Sequence, residues 1–135
     1  MSASDPAAVV QSFIHAVEQR RFDDAFELVT NDFVYDNVPL PTLEGVAAAR
    51  VWLEGFLGFL DETEWVLHRV LVDGDVVVTE RTDRFRMGDR WVELPVAGVW
   101  ELRDGKIALW RDYFDVQTAA QQWPEGVTPQ PPPAT

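Results

Sequence analysis

Three short stretches place groups capable of proton transfer at alternating positions of strand-like sequence. In Trp110-Arg111-Asp112-Tyr113-Phe114-Asp115 a carboxylate sits inside an aromatic run, and strand alternation puts Ala108, Trp110, Asp112 and Phe114 on one face and Ile107, Leu109, Arg111 and Tyr113 on the other. An ionised carboxylate among rings costs several kcal/mol unless it is paired, hydrogen-bonded or protonated, so Asp112 needs partners. Arg81 and Asp83, two apart, share a face with Thr79 and Phe85. Tyr35 and Asn37 offer a phenol and an amide in the same relation.

Gathered around one cavity, these five residues have a definite competence. A guanidinium between two carboxylates stabilises the ionised form of both, while burial and mutual repulsion raise one pKa, so that one proton is shared by the pair. The protonated member can then act as general acid and the ionised one as general base, which suits attack of water on an uncharged electrophile. Such chemistry requires neither a metal nor a nucleophilic side chain. Taken singly, each pair has a plainer explanation, since Arg-Asp pairs at alternate strand positions are ordinarily surface salt bridges. The combination carries the argument.

The elements that must position these groups can be read in outline. Asp5-Pro6 opens a helix with a capping residue and Pro in the first turn, and Val10, Phe13, Ile14 and Val17 follow at helical spacing up to Arg20-Arg21. A second short helix carries Phe22, Phe26, Leu28 and Val29. Phe33 to Asn37 reads as a strand with Phe33, Tyr35 and Asn37 on one face, and Pro39, Pro41 and Gly45 mark a loop. Val46 to Leu60 reads as a third helix, whose Gly55 and Gly58 call for a close packing contact or a pocket wall. Four runs follow, Glu64 to Val72, Asp75 to Arg86, Trp91 to Leu102 and Ile107 to Phe114, joined by Asp73-Gly74, Met87-Gly88-Asp89 and Asp104-Gly105 as consecutive antiparallel hairpins. Helices followed by a meander make an α+β domain over residues 1–123, with a curved sheet wrapped around about three helices and a conical pocket between them. The stretch 124–135 holds five Pro and reads as an extended tail.

Composition narrows the function classes. The net charge of -12, from 11 basic and 23 acidic residues, disfavours nucleic acid and acidic lipid headgroups as partners. The absence of Cys excludes thiol catalysis, disulfides and thiolate metal sites. No apolar run approaches membrane-spanning length and the N-terminus has no secretory pattern, so a cytoplasmic protein is expected. His15 and His68 lack a second ligand at suitable spacing and read as structural. Six Trp and eight Phe suggest that some aromatic surface lines a cavity, although Trp52, Trp65, Trp91 and Trp100 read individually as core.

Tyr35-Asp36-Asn37-Val38-Pro39-Leu40-Pro41, Arg81-Thr82-Asp83 and Trp110-Arg111-Asp112-Tyr113-Phe114-Asp115, in this order and spacing, resemble the limonene-1,2-epoxide hydrolase family, within the NTF2-like, SnoaL-like superfamily of cone-shaped α+β domains. The likeness runs from about Val9 to Phe114. It implies that Asp112 deprotonates a water held by Tyr35 and Asn37, that Asp83 protonates the epoxide oxygen, and that Arg81 bridges the aspartates. It also implies a homodimer, no cofactor, and a one-step addition of water to a hydrophobic cyclic or aryl epoxide giving a vicinal diol. A ketosteroid-isomerase-like proton shuttle is one other reading, but it leaves Arg81 and the Tyr35–Asn37 pair without a role, and two more remain open at this point. One is an epoxide-opening cyclase, in which a substrate hydroxyl replaces water. The other is a non-catalytic cup for a hydrophobic small molecule, which requires an apolar pocket with Asp83 or Asp112 turned away from it.

Overall fold

Asp5 caps the first helix, α1 (Pro6–Glu18), its carboxylate accepting from the Ala7 N–H at 3.2 Å with Pro6 at the first helical position. In this computed structural model, which describes residues 5–123, α2 (Phe22–Phe26), β1 (Val29–Val38), β2 (Leu43–Glu44) and α3 (Val46–Gly58) follow. The chain then runs through β3 (Glu62–Asp73), β4 (Val76–Met87), β5 (Arg90–Arg103), β6 (Lys106–Tyr113) and α4 (Val116–Gln122). The Pro-rich stretch 124–135 lies outside the described residues.

The strands form one curved, unclosed sheet in the order β2-β1-β6-β5-β4-β3. As the turn residues predict, β3 to β6 are an antiparallel meander. The β5–β6 connection is the two-residue loop Asp104-Gly105 with φ 54 and φ 82, the doubly positive pair that matches strand twist in a tight hairpin. β1 returns beside β6 in parallel, which puts Tyr35 opposite Trp110 and Asn37 opposite Asp112. On the outer face of the same pair, Arg111 Nε donates to Asp36 at 2.7 Å. A one-residue slip would carry both sets of side chains to the wrong face, so this pairing has one sensible register.

The inner face of the sheet packs against α1 and α3. The apolar stripe of α1 is buried as expected, and Phe13 meets the rings of Phe26, Phe33, Trp100 and Trp110 with centroids 5.3 to 6.3 Å away. Edge-on contacts of this kind add to the burial of large rings.

Five expectations need correction. The second helix ends at Phe26, so Leu28 lies in the turn after it and Val29, read as helical, opens β1. The alternation read along β6 fails at its start: Ala108 stands between Ile107 and Leu109, whose partners Leu102 and Glu101 are adjacent on β5, and this bulge turns Ile107 into the core with Trp110. Gly55 and Gly58 are exposed, and a Cβ at either would meet nothing within 4 Å, so neither a close contact nor a pocket wall accounts for them. Trp52 and Trp65 line the cavity described below rather than only filling the core, and Trp91 lies half-buried beneath the Arg84 guanidinium, 4.1 Å from its ring. The fourth helix, α4, was not anticipated. Its start is fixed by Asp115, whose carboxylate accepts from the Gln117 N–H at 3.2 Å and the Thr118 hydroxyl at 2.7 Å.

Candidate active site

The cavity opens between the inner face of the sheet and helices α3 and α4. Its volume is about 110 Å³. Four of the five residues singled out by sequence line it: Tyr35 and Asn37 from β1, Asp83 from β4 and Asp112 from β6. The fifth, Arg81, is fully buried beside them and holds the two carboxylates together. Its Nε donates to Asp83 Oδ1 at 2.7 Å, and its Nη2 donates both to Asp83 Oδ2 at 3.2 Å and to Asp112 Oδ2. The planar fork suits this task, since a single guanidinium offers five donors in fixed directions.

Strand geometry explains how the groups meet. Thr79, Arg81, Asp83 and Phe85 all point inward from β4, two residues apart. Across β5, Thr79 pairs with Gly98, and Gly98 pairs with Asp112. Arg81 therefore reaches Asp112 diagonally over an intervening strand. Its third nitrogen, Nη1, donates to the Thr79 hydroxyl at 3.3 Å, and that oxygen also accepts from Trp100 Nε1 at 3.0 Å. The second oxygen of Asp112, Oδ1, accepts from Trp110 Nε1 at 2.8 Å. Trp110 is itself held between two parallel rings, Tyr35 at 4.1 Å and Trp100 at 4.9 Å between centroids. Both oxygens of Asp112 are thus oriented by rigid, buried donors.

The electrostatics follow from burial against pairing. Desolvation pushes the Asp83 carboxyl up to about 6, opposed by the charge and hydrogen bonds of Arg81 and aided by the charges of Asp112 and, more distantly, Glu18. Burial alone would weaken the hold of Arg81 on its proton, but the adjoining charges of Asp112 and Asp83 outweigh it, and its pKa is raised. Tyr35, fully desolvated and near Asp112, has its pKa raised well above the usual phenolic range and keeps its proton at neutral pH, hydrogen-bonded to Asn37. The site therefore offers one carboxyl that holds its proton to mildly acidic pH, a second carboxylate with fixed orientation, and a phenol and an amide beside the second.

The remaining walls are apolar. Trp52 and Phe56 come from α3, Ala119 and Ala120 from α4, and Trp123 from the residue after it. The ring of Trp123 packs 6.0 Å from Phe85 and 6.1 Å from Phe56. α4 is fastened to β5 by Ala119 packing with Leu94 and Val96 and by the Gln122 amide, which accepts from the Glu93 N–H at 2.8 Å and donates to the Glu93 carbonyl at 2.7 Å.

Residues 4–125 match the family model for the limonene-1,2-epoxide hydrolase catalytic domain. The chain belongs to that family. Epoxide hydrolase EphG of Mycobacterium tuberculosis is 39% identical over 110 residues, which cover 79% of this chain and 71% of EphG. The structure of a limonene-epoxide-hydrolase-like epoxide hydrolase from M. tuberculosis superposes with a TM-score of 0.78 at 35% identity, covering 87% of each chain. An NTF2-like protein of Cytophaga hutchinsonii shares the fold, with a TM-score of 0.67 at 21% identity over 87% of this chain and 93% of its own.

Within this limonene-1,2-epoxide hydrolase family member, sequence reading passed over two residues that bear on the site. In the sequence Trp110 reads as a ring beside Asp112, whereas the structure makes it that carboxylate's hydrogen-bond donor; an indole N–H two residues from a carboxylate on one strand face is a signal for such a bond. Thr79 was placed on the right face without a role. His15 and His68 lie on the exterior, His15 at 3.1 Å from Gln19 and His68 at 2.8 Å from Thr82. Among the described residues, no group of three His, Asp or Glu side chains is placed to hold a metal ion. Among them also, no helix is long and apolar enough to cross a membrane.

Proposed function

We propose that the protein is an epoxide hydrolase that adds water to a small or medium-sized hydrophobic epoxide in one general acid-base step, without a covalent intermediate or a cofactor. Asp112 takes a proton from a water held by Tyr35 and Asn37, that water attacks an epoxide carbon, and the C–O bond breaks as Asp83 delivers its proton to the departing oxygen. The product is a vicinal diol, and the one proton gained by Asp112 then passes to Asp83, directly or relayed by water, which restores both groups to their starting state. Arg81 keeps the two carboxyl groups at fixed separation throughout and stabilises whichever is ionised.

The observation that carries this reading is a single buried guanidinium shared by two carboxyl groups that both face one apolar cavity. A non-catalytic cup requires one of these carboxyl groups to turn away, and neither does. The modest cavity, about 110 Å³ against roughly 300–1,000 Å³ for typical ligand sites, favours compact ring-containing epoxides over the extended hydroxy-epoxides a cyclase would close. Membership of the family and the likeness to EphG support the same activity.

The deciding experiment is a single turnover of a cyclic or aryl epoxide in oxygen-18 water. The label should appear in the diol and not in the protein. Label on Asp83 or Asp112 would mean a carboxylate nucleophile, and the absence of diol from every hydrophobic epoxide tried would overturn the activity itself. The reading includes a homodimer in the cytoplasm, and sedimentation of the purified protein tests the first of these.

A further inference from the structure

Gly98 lies in the middle of β5, on the inner face between Val96 and Trp100. Its backbone is ordinary extended strand, since it is not among the residues with positive φ. The conformational freedom of glycine is therefore not in use here, and an interior strand glycine only weakens the sheet. What glycine supplies is space. A Cβ built at Gly98 would stand 2.7 Å from Arg81 Nη1, 2.7 Å from Asp112 Oδ1 and 2.9 Å from the Thr79 hydroxyl. These distances are closer than carbon approaches nitrogen or oxygen without a hydrogen bond. The three atoms belong to the network that joins the carboxyl groups, and they converge over the one inward position of β5 that has no side chain.

We propose that Gly98 is a positioning residue of the hydrolysis, its missing side chain forming the gap through which the Arg81 guanidinium crosses β5 to reach Asp112. The pairing of strands makes the gap necessary. Arg81 is on β4 and Asp112 on β6, so any bond between them must pass over β5, and Thr79, Gly98 and Asp112 form one cross-strand row. With a methyl group in that row, the guanidinium keeps its two bonds to Asp83, which come from the same strand, and withdraws from Asp112. The shared cation becomes the partner of one carboxyl group. Asp112 retains the Trp110 N–H but loses its compensating charge in a buried setting.

This inference rests on the acid-base reading of the site, and its test separates the two. Gly98→Ala is compared with wild type for kcat, KM and the pH profile on a hydrophobic epoxide. Gly55→Ala, at an exposed helical glycine with open space around it, serves as the control. The expected result for Gly98→Ala is a fall in kcat on the order of 10², the scale set by a displacement of about 1 Å in a catalytic arrangement, with KM little changed. The acidic limb of the profile should also move to higher pH, because the ionised form of the pair loses part of its cation while Tyr35 on β1 and Glu18 on α1, which also face the pair, stay in place. Unchanged kcat in the folded variant, or lower kcat with an unmoved limb, would overturn the proposal.

If Gly98→Ala does not fold, Asp112→Ala and the Asp112→Ala/Gly98→Ala double variant decide. With Asp112 truncated, Arg81 has no reason to cross β5, so the double variant should fold as well as the single one. A double variant that fails where Asp112→Ala folds would show that the strand itself rejects the methyl group, which overturns the assignment. Should wild type turn over no epoxide, the acid-base reading fails on its own, and carbon-13 NMR titration of the aspartate carboxyls in wild type and Gly98→Ala still measures whether the pair's coupling depends on Gly98. Identical titrations would refute the role.

Discussion

Replacing Asp83 by Asn should abolish a specific pH dependence of folding stability. In the native protein, burial holds the Asp83 carboxyl at about 6, against its ordinary value of 3.8. The native state therefore binds the proton more tightly than the unfolded chain does. Below about pH 4 both states carry it, and Asp83 adds no pH dependence. Between pH 4 and 6 only the native state carries it, so stability declines as pH rises. Above pH 6 the native state must hold the buried charge, and the full cost is reached. A rise of that size corresponds to about 3 kcal/mol at 1.36 kcal/mol per pKa unit. Urea denaturation of wild type and Asp83→Asn at intervals from pH 3.5 to 8 provides the assay. Surface carboxylates titrate alike in both proteins, so the difference between the two stability curves isolates the Asp83 proton, and it should grow by about 3 kcal/mol between pH 4 and 7. In the proposed reaction this is the proton delivered to the epoxide, so the basic limb of kcat/KM should fall in the pH range where the stability difference levels off. Parallel stability curves would refute the idea that Asp83 holds a proton in the native state.

Three further outcomes follow from the geometry. Trp110→Phe keeps a ring in the stack but deletes the N–H that orients Asp112; kcat should fall about 10- to 100-fold with KM nearly constant, as loss of a hydrogen bond to a charged group of about 1.5–3 kcal/mol implies, and steady-state kinetics check it. Gly55→Ala should stabilise the protein by roughly 0.5–1 kcal/mol through the lower entropy of the unfolded chain, measured by denaturation, with activity unaltered. Gln122→Ala removes both bonds that tie α4 to Glu93; KM should rise more than kcat changes, and stability should drop by about 1–2 kcal/mol, as kinetics and thermal melts would show.

Much of this arrangement is legible in the sequence because strands have a period of two. Tyr35-x-Asn37, Arg81-x-Asp83 and Trp110-x-Asp112 each declare a common face, and the turn residues between the last four strands declare a meander. The sequence does not declare which strands are neighbours across long distances: nothing in Tyr35 to Asn37 says that β1 will lie parallel to β6 and not antiparallel to β3. The bulge at Ala108 also escapes a strict alternation, since it carries no Gly or Pro. α4 escapes because its seven residues are too few to show helical periodicity, and Asp115 reads as the end of an aromatic run before it reads as a cap. Gly98 interrupts an otherwise apolar strand, but its meaning depends on the two strands beside it.

The cavity has walls of two origins. The two carboxyl groups stand on β4 and β6 of one sheet, joined across β5 by Arg81, whereas the opposite side is made by α3 and α4, which approach through rings and small side chains. Phe56 couples the two walls, since it stacks on Trp52, which also meets Tyr35, whereas sites without shared partners perturb a protein independently and their effects add. Substitutions at Ala119 or Ala120, small side chains of α4, are therefore the ones expected to alter which epoxide is accepted without disturbing how it is opened. A lineage of such proteins, or a laboratory selection, can change its diet one wall residue at a time while the reaction itself is inherited intact.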